Sequence, residues 1–95
     1  MDVERQVTWS KSVDKQLAKL PEYLRDKFVA WAMVVDRIGL LEARKLSGFH
    51  DEPLKGKRKG QRSIRLNHAY RAIYVEAANG DIIIVEGIEL TKHEY

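Results

Sequence analysis

The sequence predicts an α+β fold of order β-α-α-β-β-β, with two helices packed on a small antiparallel sheet. A helical apolar period runs from Val13 to Ile38, the pattern changes to strand-like alternation from Arg62, and Asn79-Gly80 separates two runs of strand formers. At 95 residues the chain is long enough to bury one core, so positions 1–95 are expected to form a single domain.

Val3 to Trp9 alternates weakly and suits a first strand, with Val3, Val7 and Trp9 as inward positions. Ser10 or Ser12 can cap the helix that follows, whose apolar stripe is Val13, Leu17 and Leu20. Pro21 fits the first turn of a second helix, where its missing N–H costs nothing. Leu24, Phe28, Trp31, Val35 and Ile38 then recur in steps of four and three, the clearest helical signal in the chain. Aromatics at this spacing read as core rather than as a ligand pocket. Gly39 suits the helix C-terminus, and Leu40 to Leu46 has the makings of a short third helix before Ser47-Gly48-Phe49 opens a loop.

Beyond the loop, Arg62 to Leu66 alternates, with Ile64 and Leu66 on one face and Ser63 and Arg65 on the other. Asn67-His68-Ala69 reads as a tight turn, and Tyr70 to Val75 is rich in strand formers. Asp81 to Leu90 continues as a strand. Its Ile82–Val85 run is long enough to be buried on both faces, and Gly87 suits a bulge. There is no internal repeat, low-complexity tract or linker.

A hydrophobic fraction of 44% and a charged fraction of 33% belong to a globular chain rather than a disordered one. The absence of cysteine excludes disulfides and thiolate chemistry. No apolar run is long enough to span a membrane, and Met1-Asp2-Val3-Glu4-Arg5 does not open a signal peptide, so the expected location is the cytoplasm.

The net charge of +3 conceals an uneven distribution. Lys55, Lys57, Arg58, Lys59, Arg62, Arg65 and Arg71 fall between Pro53 and Arg71 with no Asp or Glu among them, while the rest of the chain is net acidic. Such asymmetry suits a polyanionic partner, since phosphate contacts release counterions. A solubilising surface loop is the alternative for the lysine-rich part.

No glycine-rich phosphate loop with a following Lys-Ser/Thr appears, and no HExxH. His50, His68 and His93 lie far apart with no metal-ligand spacing, so no metal and no cofactor is expected. What remains is a metal-free set: Arg65 and Arg71 on neighbouring strands, Glu52 just before the basic loop, and His93 and Tyr95 after the last strand. RNA carries its own nucleophile, the 2′-OH beside each phosphate. An enzyme acting on it must remove that proton, stabilise the added charge and protonate the leaving 5′-oxygen. A carboxylate or imidazole can be the base, arginines can hold the phosphate, and a histidine can be the acid. Each residue also has an ordinary explanation. The arginines suit solvent-facing strand positions paired with Glu76 or Asp81, Glu52 a loop carboxylate, His68 a solvated turn, and His93 and Tyr95 a chain end. Taken singly, each favours that explanation. Composition by itself supports a basic RNA- or anion-binding α+β domain.

Glu52-Pro53-Leu54-Lys55, Arg62-Ser63-Ile64-Arg65-Leu66, Tyr70-Arg71-Ala72-Ile73-Tyr74 and Lys92-His93-Glu94-Tyr95 together resemble the RelE/YoeB/HigB toxins of bacterial toxin–antitoxin pairs. The first and third of these segments are the most specific, and the resemblance in sequence covers the second half of the chain. It implies a compact RelE/ParE-like domain that cleaves mRNA in the ribosomal A site without metal, by 2′-OH attack, and that a cognate antitoxin blocks. It further implies that Arg71 stabilises the phosphate with Arg65 assisting, that Glu52 is the base and that His93 is the acid. Tyr95 resembles a terminal tyrosine that orients the acid, here separated from His93 by Glu94. Lys55, Lys57, Arg58, Lys59 and Arg62 are the expected contacts to rRNA or mRNA. ParE-like gyrase poisons share the fold and are the rival reading, followed by a non-catalytic RNA- or ribosome-binding module.

Overall fold

The computed structural model describes residues 7–89. The elements run β1 (Val7–Trp9), α1 (Lys11–Ala18), α2 (Glu22–Ile38), α3 (Leu40–Arg44), β2 (Glu52–Pro53), β3 (Arg62–Arg65), β4 (Tyr70–Glu76) and β5 (Ile82–Glu89), with single 3₁₀ turns at Ser47–Phe49 and Gly56–Arg58. They build an α+β domain around one five-stranded sheet of order β1-β5-β4-β3-β2.

The helices follow their sequence signals closely. Ser10 caps α1, its Oγ accepting from the Val13 amide at 3.2 Å. Pro21 stands just ahead of α2 rather than inside it, and its carbonyl receives the Leu24 and Arg25 amides. Leu24, Phe28, Trp31 and Val35 are all buried against the sheet. Ile38 is not. It is 45% exposed because Gly39, at φ +86°, ends the helix and turns the chain so that Leu40 fills the end of the seam. The third helix stops at Arg44, two residues short of the expected Leu46.

Strands β3, β4 and β5 follow expectation and pair antiparallel, while the two-residue β2, not expected from sequence, adds antiparallel to β3 as a fifth strand. The sheet as a whole is mixed, because β1 runs parallel to β5. Strands joined by a hairpin must reverse, whereas β1 reaches its neighbour only after the helices have crossed one face. Val3 and Leu90, assigned to strands from sequence, lie outside the described residues. The Ile82–Val85 run alternates instead of being buried on both faces: Ile82 and Ile84 enter the core, while Ile83 and Val85 are exposed. The bulge falls at Val85 rather than Gly87, since Ile73 pairs with Glu86 and Tyr74 with Ile84. At the turn between β4 and β5, the Asn79 side chain accepts from the Asp81 amide and Gly80 takes φ +94°.

The main core cluster lies on the helical side of the sheet, and Ile73 and Ser63 are buried on the other side. Trp9, Phe28, Trp31 and Tyr74 form a continuous aromatic chain with centroid separations of 5.2, 6.2 and 5.4 Å. No helix among the described residues is long and apolar enough to cross a membrane.

Phe28→Ala is expected to cost about 3–5 kcal/mol in urea unfolding, a large share of what so small a domain has. Met33→Ala, on the outer face of α2, should stay within about 0.5 kcal/mol. Equal midpoints for the two variants would place Phe28 outside the core.

Candidate functional site

Register decides which side chains leave the core. Ile64 pairs with Ala72, and both are buried under the helices. The flanking pairs, Ser63 with Ile73 and Arg65 with Arg71, must therefore point to the opposite, helix-free face. Glu52 pairs with Ser63 and joins them there. Asn67 holds this register, its Oδ1 accepting from the Ala69 and Tyr70 amides at 2.8 Å each.

On this open face Arg71 is the organising group. Its Nη1 donates to Ser63 Oγ at 3.0 Å and stands 3.1 Å from Glu52 Oε1. The Arg71 side chain is 15% exposed and that of Glu52 54% exposed, so the arginine is largely covered and its carboxylate partner faces water. Directly across the ladder, Arg65 brings a second guanidinium, and its Nε is buried with no hydrogen-bond partner among the described residues. Like charges placed opposite one another on a sheet repel. One carboxylate at Glu52 offsets part of that repulsion, leaving a cationic site suited to an anion. Neither Glu76 nor Asp81 pairs with Arg71; Glu76 instead meets Arg44 at 3.6 Å.

Beneath Glu52, on the helical side, lies a polar knot. The Asp51 side chain is 1% exposed. It accepts from Arg62 Nε at 2.6 Å and from the Tyr74 hydroxyl at 2.5 Å. Burial, and then the hydrogen bond to Asp51, push the Tyr74 hydroxyl up to about 12, with Arg44 opposing. For Arg62, burial disfavours the charge, but the Asp51 carboxylate and Tyr74 outweigh it and hold the guanidinium above its usual range. Asp51 and Tyr74 did not stand out in the sequence as site residues. The signal for Asp51 was a carboxylate adjoining Glu52, and for Tyr74 a hydroxyl on an inward strand position.

Of the residues singled out from sequence, Glu52, Arg65 and Arg71 are brought together, while His93 and Tyr95 lie outside the described residues. Lys55, Lys57 and Lys59 are exposed on the loop, and Arg58 donates to Gln61 at 2.9 Å. Arg62 departs from the rest of that group. It is engaged by Asp51 and turned toward the helical side. No group of His, Asp or Glu side chains able to hold a metal occurs among the described residues.

The chain matches no known family model and no curated protein sequence. Its fold is similar to that of several solved toxins. YafQ from E. coli strain BL21(DE3) superposes with a TM-score of 0.68 over 97% of this chain and 100% of that one, at 15% identity. The YoeB–YefM complex from Staphylococcus aureus gives 0.67 over 90% and 95%, at 24% identity. The archaeal RelE–RelB complex from Pyrococcus horikoshii OT3 gives 0.66 over 88% and 92%, at 23% identity. The chain thus has the fold of RelE/YoeB/YafQ-type toxins.

The raised Tyr74 hydroxyl has a readable consequence. A group whose folded pKa lies above its unfolded value stabilises fully below the unfolded value, and that contribution is lost as pH rises through the folded one. In an ultraviolet titration Tyr74 should ionise late, near pH 12, with stability falling from about pH 10 upward. Tyr74→Phe should remove that late step. Its survival would mean that another tyrosine is the buried one.

Proposed function

We propose that this chain is the toxin of a toxin–antitoxin pair and a ribosome-dependent endoribonuclease whose cleft is the open face of the sheet. The observation that carries this reading is the opposition of Arg65 and Arg71, with Glu52 3.1 Å from Arg71. Two cations held in repulsion beside one carboxylate suit a reaction in which phosphate gains negative charge while a neighbouring hydroxyl loses a proton.

In this reading the scissile phosphate enters beside Arg71, whose guanidinium is already oriented by Ser63 and Glu52. Arg71 and Arg65 stabilise the charge that develops in the transition state. Glu52 takes the 2′-OH proton, and the 2′-oxygen attacks phosphorus. His93 protonates the departing 5′-oxygen, with Tyr95 orienting it. These last two roles rest on the sequence resemblance. Lys55, Lys57, Arg58 and Lys59 contact rRNA or mRNA phosphates, while Arg62 serves the fold through Asp51. Several of the similar structures are toxin–antitoxin complexes, which supports a cognate antitoxin as the partner that silences the cleft.

Arg71→Ala should slow cleavage of ribosome-bound mRNA by on the order of a hundredfold or more. An unchanged rate, or inhibited gyrase with intact RNA, would overturn the assignment. Replacing Lys57, Arg58 and Lys59 together by Ala should weaken ribosome association and lower its salt slope by about one for each phosphate no longer neutralised. An unchanged slope would remove this loop from the RNA interface.

A further inference from the structure

A two-residue strand with both side chains exposed has little of its own to hold it in place. β2 lies at the sheet edge, paired with β3 alone, and Pro53 brings no N–H to that ladder. The ion pair of Glu52 with Arg71 is too open to water to fix a side chain by itself. Glu52 nevertheless reaches across β3 to meet an arginine on β4.

The restraint sits one residue earlier. Asp51 is buried, and its two oxygens are taken by donors from different strands, Arg62 of β3 and Tyr74 of β4. Hydrogen bonds to an ionised group are short and strong, and breaking one here would strand a charge out of water. Tyr74 is itself packed in the core, with no exposed surface and its ring 5.4 Å from that of Trp31. Successive side chains of an extended chain point to opposite faces, so a carboxylate drawn inward at position 51 turns the one at position 52 outward.

The geometry points to Asp51 as a positioning residue for Glu52: clamped between Arg62 and Tyr74, the buried carboxylate sets where Glu52 stands against Arg71 on the open face. This rests on the reading of Glu52 as the base. Constraint passes from the aromatic core through Tyr74 to Asp51, and from Asp51 along the backbone to Glu52. Asp51 touches no substrate and acts only through its neighbour.

The test compares Asp51→Asn and Tyr74→Phe, each alone and combined with Glu52→Gln, in single-turnover cleavage of ribosome-bound mRNA. Melting temperatures and crystal structures accompany the rates. Either single change should slow cleavage by about ten- to a hundredfold, as a misplaced catalytic group does, and leave the ribosome concentration needed for saturation unchanged. Each combined variant should cleave no slower than Glu52→Gln alone. Losses that multiply, or single variants as fast as the wild type, would overturn the proposal. Should Asp51→Asn fail to fold, Tyr74→Phe keeps the ring in place and carries the comparison. If Glu52→Gln cleaves at the wild-type rate, or if the wild type cleaves no RNA, the base reading falls and the crystal structures decide. Glu52 withdrawn from Arg71 in a folded variant would support Asp51 as its anchor; a pair kept at 3.1 Å would overturn it.

Discussion

Arg65 and Arg71 stand opposite one another because the β3–β4 hairpin is held in one register. A slip of one residue would carry both guanidinium groups toward the helices and turn Ile64 and Ala72 out to water. Burial of those two residues, and of Leu66 beside them, opposes the slip, and the Asn67 side chain closes the turn that counts the residues. The charge repulsion on the open face is therefore sustained by apolar burial on the other side.

The same division of faces governs the acidic residues. Asp51 and Glu52 are adjacent in the chain and have opposite fates. One is sealed under the sheet with an arginine and a tyrosine, and the other is held at the surface beside Arg71. Burying a carboxylate carries a desolvation penalty that is offset only if its oxygens are satisfied, and here both are. The basic segment divides in the same way. Its lysines project into solvent, while Arg62 turns inward to meet Asp51. Charge counted along the sequence thus overstates the cationic groups this segment leaves free of a buried carboxylate by one guanidinium.

Patterns with short periods were legible from sequence. The steps of four and three through Leu24, Phe28, Trp31 and Val35 mark the face that α2 buries, and the alternation through Ile64 and Leu66 marks that of β3. Ser10 and Asn79-Gly80 announced a helix start and a turn through their own side-chain and backbone chemistry. Features that depend on distant partners were not legible. The parallel pairing of β1 with β5 joins the two ends of the fold. Two-residue β2 has no period to detect, and Asp51 resembles any loop carboxylate until Arg62 and Tyr74 close on it. Ile38 kept the helical step but lay past the point where Gly39 turned the chain. In the candidate site, Glu52, Arg65 and Arg71 could be named from a motif, whereas Ser63 could be placed on their face but not recognised as the acceptor that orients Arg71.

If the cleft works as proposed, the open face cleaves RNA with the RNA's own hydroxyl as nucleophile, using side chains and no metal. The chemistry of the cut ends reports this most directly. Ribosome-bound mRNA incubated with the purified chain in the presence of a chelator should give upstream fragments ending in a 2′,3′-cyclic phosphate or the 3′-phosphate formed by its hydrolysis. The downstream fragments should begin with a 5′-hydroxyl. Ends bearing a 3′-hydroxyl and a 5′-phosphate would mean that water attacked instead, and would contradict the roles given to Glu52 and Arg71.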